Sequence, residues 1–143
     1  MAFDPKDSKV ESIVKRLRED EVGWLVTVHE GTPRPVPVWF LWDDDRSLLI
    51  YSAPRALKTK TVDAHPQCSF HFNSDEHGGG IAILDGRIAR DDSVPPMLDN
   101  PAYVAKYTAA LKAYTAEMKT TDEAVSEEFS VPLVMAIENA RGW

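Results

Sequence analysis

The chain has 143 residues, 43% of them apolar and 27% charged, which is one globular domain's worth. Sixteen Lys and Arg against 23 Asp and Glu leave a net charge of −7, which excludes a general nucleic-acid binder with its basic face. No apolar run approaches the roughly 18 residues of a membrane helix. The opening MAFDPKDSKV lacks the basic-then-apolar pattern of a secretory signal, and the lone Cys68 excludes a disulfide framework or a cysteine-rich zinc site. These features together predict a cytoplasmic protein with no nucleic-acid or membrane partner.

Ser8-Lys9-Val10-Glu11 reads as a capping box, and Val10, Ile13, Val14 and Leu17 follow at helical spacing, so a first helix is predicted over about 9–20. The period then changes. Gly23 to His29 is β-branched and aromatic and reads as a strand, and Glu30-Gly31-Thr32 is turn chemistry. Further strands are predicted at Val36 to Trp42, Ser47 to Ser52, Gln67 to Asn73 and Ile81 to Ala89. A short helix is predicted over Ala56 to Ala64, closed by His65-Pro66. After the Val94-Pro95-Pro96 linker, Tyr103, Tyr107, Leu111, Tyr114 and Met118 share one helical face. A shorter helix over Glu123 to Glu128 leads into a last strand, Val131 to Ile137. Six short strands with few long helices predict a mainly β fold, a single six-stranded antiparallel barrel over residues 1–143 with helices outside it.

Two segments carry chemistry. Pro33, Pro35 and Pro37 alternate, so all three would aim their backbone nitrogens toward the same neighbour, and proline has no amide hydrogen to give. The following Val38-Trp39-Phe40-Leu41-Trp42 is apolar on both faces. A buried strand with an open edge leaves backbone groups near Val38 and Trp39 for a flat heteroaromatic ligand, or else is a plain edge strand under a loop. The second segment runs from Tyr51-Ser52 into the Lys58 turn. From Ala53 to Val62 it holds three cations, Arg55, Lys58 and Lys60, and no anion. A hydroxyl, free amides and cations together suit a phosphate, while the bland alternative is a solvated basic helix.

The order Pro37-Val38-Trp39-Phe40, Leu49-Ile50-Tyr51-Ser52, Lys58, His65-Pro66, Cys68-Ser69-Phe70-His71-Phe72 and Asp85-Gly86-Arg87 resembles the pyridoxamine 5′-phosphate oxidase-like split β-barrels over about residues 20–91. It is most similar to the branch of flavin/deazaflavin oxidoreductases that use coenzyme F420, whose members also end much like Arg141-Gly142-Trp143. The resemblance implies an F420-dependent reductase that transfers a hydride between the deazaflavin and an unsaturated small molecule. Ser52 and Lys58 would hold the cofactor phosphate, with Lys60 and Thr61 beside it. Pro37, Val38 and Trp39 would line the ring, next to Tyr51. A homodimer is implied, with Gly79 and Gly80 approaching the partner's cofactor and Trp143 at the same seam. Trp39, Trp42 and the Tyr103 helix would wall the substrate site.

The extra arginines and longer C-terminal segment of members that oxidise pyridoxamine phosphate are not found, which favours the deazaflavin branch. The alternatives are FMN on the same fold and a non-enzymatic flavin- or haem-binding protein, with His71 or His77 as axial ligand. His29, His65, His71 and His77 show no recognised metal spacing, so no metal is expected, and Cys68 beside Phe70 reads as an inert buried thiol.

Overall fold

A computed structural model describes residues 1–143. Helix α1 spans Glu11–Glu19, followed by β1 (Val22–His29), β2 (Thr32–Trp39), β3 (Leu41–Trp42) and β4 (Ser47–Ser52). Then come α2 (Leu57–Thr61), β5 (Gln67–His71), β6 (Ala82–Arg90), α3 (Pro101–Met118), α4 (Asp122–Glu128) and β7 (Val131–Gly142). All strand pairs are antiparallel, in the order β2-β1-β5-β6-β7-β4-β3.

The ends of that order show how the barrel closes. β2 and β3 are the two edges of the sheet, yet Phe40 alone separates them in the chain. The sheet must therefore curl until its edges meet, which makes a split barrel. The predicted strand 36–42 is thus two strands, and the count is seven rather than six. The break is chemically defined. Phe40 N–H donates to Tyr107 Oη at 2.7 Å, and Lys106 Nζ donates to Phe40 O at 2.8 Å. Partners on α3 satisfy the residue that leaves the ladder, as a buried backbone requires.

Barrel and helices bury separate cores. Phe40, Leu48, Ile50, Phe70, Leu84, Leu133 and Met135 belong to a 23-residue cluster inside the barrel. Tyr51, Met97, Tyr103, Tyr107, Leu111 and Val125 form a second cluster beneath α3 and α4, with Trp39 packed against it. The amphipathic tyrosine stripe therefore covers the outside of the sheet where the β2 and β3 edges meet. Met118, at the end of that stripe, is exposed.

Several predicted boundaries shift. Asp7, not Ser8, caps the N-terminus; its carboxylate accepts Lys9 N–H at 2.9 Å above a 3-10 turn over Ser8–Val10. Aspartate caps as well as serine, and the tight turn favours the earlier residue. β7 continues to Gly142, beyond the expected end at Ile137, because it pairs with β6 through a bulge at Asp85/Gly86. A Cβ on Gly86 would lie 2.0 Å from Ala136 O, so only glycine fits that close approach.

Candidate functional site

β2 pairs with β1 without interruption from Thr32↔His29 to Trp39↔Val22. An unbroken ladder that contains Pro33, Pro35 and Pro37 places all three nitrogens on the side away from β1. The free edge of β2 therefore offers proline carbonyls and no proline amides, as the alternation predicts.

Where β2 ends, a cavity of about 250 Å³ opens between the sheet and the helices. Pro37, Val38 and Trp39 line one side, with Tyr51 from β4 and Lys58 from α2. Met97, Tyr103 and Tyr114 close it from the α3 side, and Val125 and Phe129 from α4. Trp39 stacks on Tyr107 at 4.7 Å and 4°, and meets Tyr114 edge-on at 6.0 Å. The wall is thus aromatic and held by stacking.

Lys58 is the one charged residue of this lining and takes part in no ion pair of the structure. Burial holds its amine below the ordinary lysine value. A half-buried cation without a counter-ion favours an incoming anion, because the anion offsets desolvation already incurred. No acid–base dyad lines the cavity. Cys68 lies elsewhere, buried, its thiol pushed up to about 12 by desolvation and by Asp85 and Glu138, and so protonated.

Five of the eleven residues singled out in the sequence meet here: Pro37, Val38, Trp39, Tyr51 and Lys58. Ser52 is fully buried behind the wall, and its Oγ lies 2.6 Å from Thr59 Oγ1. Thr59 Oγ1 donates onward to Ala53 O at 2.7 Å, so the Ser52 proton points to Thr59. Lys60 is exposed, and Thr61 is buried with its hydroxyl 3.5 Å from Lys58 O. None of the three lines the cavity.

Gly79 and Gly80 lie in the β5–β6 loop, which Asp75 organises by accepting the N–H groups of His77 and Gly79. Trp143 is 74% exposed and its backbone pairs with Ile81, which places it beside that loop and not at the cavity. Trp42 belongs to the barrel core, with its Nε1–H donated to Asp45 O. Met97, Val125 and Phe129 fall outside the residues expected as lining, because their position depends on how α3 and α4 fold back, whereas Tyr103 and Tyr114 belong to the helix expected to wall the site. The i, i+4 tyrosines were the one signal in that region.

A family model described as pyridoxamine 5'-phosphate oxidase matches residues 10–136, and the chain belongs to this family, one named for an oxidoreductase. No curated protein matches it significantly. Among solved structures, a FAD-binding protein from Mesorhizobium loti superposes with a TM-score of 0.61 at 21% identity, covering 94% of this chain and 92% of that one. An F420 reductase gives 0.56 at 19%, covering 89% and 94%. HupZ from Group A Streptococcus gives 0.56 at 16%, covering 88% and 87%. At these identities the likeness is one of fold, and that fold is the split barrel with flanking helices.

Proposed function

We propose that this chain binds a flavin-type nucleotide, coenzyme F420 first and FMN second, and acts as a reductase on an unsaturated small molecule. The observation that carries the reading is the convergence of Pro37, Val38 and Trp39 with Lys58 at one cavity. The bound ring would supply the hydride chemistry. The protein's part is to hold and shield it. Lys58 holds the phosphate, Trp39 and Tyr114 present flat surfaces, and the proline edge offers acceptors without competing donors. Ser52 acts indirectly by holding α2 through Thr59, one of its residues.

The cavity is smaller than the roughly 300–1,000 Å³ of sites that enclose drug-sized ligands, so most of the nucleotide lies outside it, along α2 and the free β2 edge. A homodimer is part of the reading, with the Gly79–Gly80 loop and the adjacent exposed Trp143 at the seam. The similarity to a FAD-binding protein and to an F420 reductase supports the cofactor class.

Titration of purified protein with F420 and with FMN, followed by the fluorescence of each, tests this directly. F420 binding that Lys58→Ala weakens tenfold or more supports it. A yellow flavin that survives dialysis, with no response to F420, transfers the reading to FMN. Binding of neither cofactor ends it.

A further inference from the structure

The basic segment that runs into α2 carries Arg55, Lys58 and Lys60, and of these only Arg55 has an anionic partner. That partner comes from far along the chain. Arg55 Nη2 donates to Glu128 Oε1 at 3.2 Å, 73 residues on, in the last turn of α4. α2 supplies Lys58 to the cavity, and α4 supplies Val125 and Phe129. The Arg55–Glu128 pair therefore ties two walls of the cavity together from outside it, with both side chains exposed.

α4 is weakly anchored. It has seven residues, and Val125 is its one buried side chain. Asp122, Glu123, Glu127 and Glu128 give it four carboxylates and no cation. Glu127 and Glu128 stand at its C-terminal end, where the helix dipole disfavours negative charge. Arg55 offsets that from outside the helix, but an exposed ion pair holds loosely and is screened by salt. The same contact works against a ligand. Glu128 neutralises the cation nearest in sequence to the unpaired Lys58, and its own charge repels an anion arriving beside α2.

We propose that Glu128 is an internal competitor for the ligand's anion: it holds Arg55 and keeps α4 against α2 until a phosphorylated ligand reaches Lys58, and then yields Arg55 and frees α4. The inference rests on the proposed function for the phosphate at Lys58, and it adds a built-in limit on affinity and an opening movement of α4. A neutral compound leaves the ion pair intact.

Fluorescence titration with F420 and with FMN at one ionic strength reads the competition. Glu128→Gln should tighten whichever cofactor the wild type binds by about threefold or more, the scale of one exposed ion pair. Glu127→Gln removes the same charge from a carboxylate with no ion pair and should leave affinity nearly unchanged. In an Arg55→Gln background, Glu128→Gln should add nothing. Amide hydrogen exchange reads α4 directly through the N–H groups of Val125 and Phe129, which donate to Thr121 O and Val125 O. Both should exchange severalfold faster in Glu128→Gln than in the wild type. In the wild type both should exchange faster with inorganic pyrophosphate than with sodium chloride of equal ionic strength.

Equal cofactor affinity in wild type and Glu128→Gln overturns the proposal. So does equal tightening by Glu127→Gln, or tightening by Glu128→Gln that persists without Arg55. Unchanged α4 exchange in Glu128→Gln overturns the opening movement. If neither cofactor binds the wild type, the cofactor reading fails and exchange decides the rest: pyrophosphate that speeds α4 exchange beyond the salt control leaves the Glu128 assignment standing, and pyrophosphate that does not overturns it.

Discussion

Lys58 and Lys106 are both half-buried amines, and their surroundings give them different work. Lys58 faces an aromatic cavity with no counter-ion, and burial lowers its pKa. The fold therefore disfavours its charged form. That cost is fully present below the folded pKa and is relieved as pH rises toward the unfolded 10.5. Lys58→Met should raise the Tm at pH 7 while lowering F420 affinity at least tenfold, a split read by thermal melting and fluorescence titration. A loss of both would mark Lys58 as structural.

Lys106 Nζ sits 3.7 Å over the Phe40 ring and donates to Phe40 O, with its pKa brought down to about 8 by burial against the weaker opposing pull of Glu21 and Asp20. Here too the unfolded chain holds the proton more tightly, so stability should rise between pH 8 and 10. Urea midpoints across that window should climb in the wild type and flatten in Lys106→Met.

Among the elements, the β2–β3 junction has the most to say about the site. A single residue passes from one edge of the sheet to the other, and Tyr107 holds its N–H. Tyr107→Phe leaves that buried amide without its partner and should cost about 1–3 kcal/mol, seen as a lower urea midpoint at unchanged m-value. β1 contributes a second constraint. A Cβ on Gly23 would stand 2.1 Å from the Phe70 ring. Gly23→Ala should cost about 1–3 kcal/mol by overpacking, and Phe70→Leu in the same chain should recover part of it.

The legible parts of these elements follow local rules. Alternating prolines announce a free edge because amide direction has period two, and Lys58 stands out because the basic run interrupts an acidic chain. Phe40 is harder to read. In Val38-Trp39-Phe40-Leu41-Trp42 nothing local marks a break, because the partner that takes the Phe40 amide comes from α3, 67 residues on.

Across the assembled barrel, the proposed homodimer concerns the surface farthest from any local signal. Trp143 is the most exposed large apolar residue and stands beside the Gly79–Gly80 loop. Small-angle scattering should return twice the mass of a 16.0 kDa chain. Trp143→Ser should shift that balance toward monomer without lowering the melting of the monomer itself. A monomeric wild type at micromolar concentration would remove the seam from the reading.

Strand and helix identities, the antiparallel rhythm, the free proline edge and the basic segment around Lys58 could all be read along the chain, because each arises from spacing, composition or the missing amide of proline. The cavity could not. Its far wall is α3 and α4, and their placement depends on where Tyr107 finds an unpaired amide and on which sheet face the tyrosine stripe buries. Both are contacts between residues far apart in sequence, so neither leaves a periodic trace. The same holds for Ser52, whose hydroxyl is diverted to Thr59.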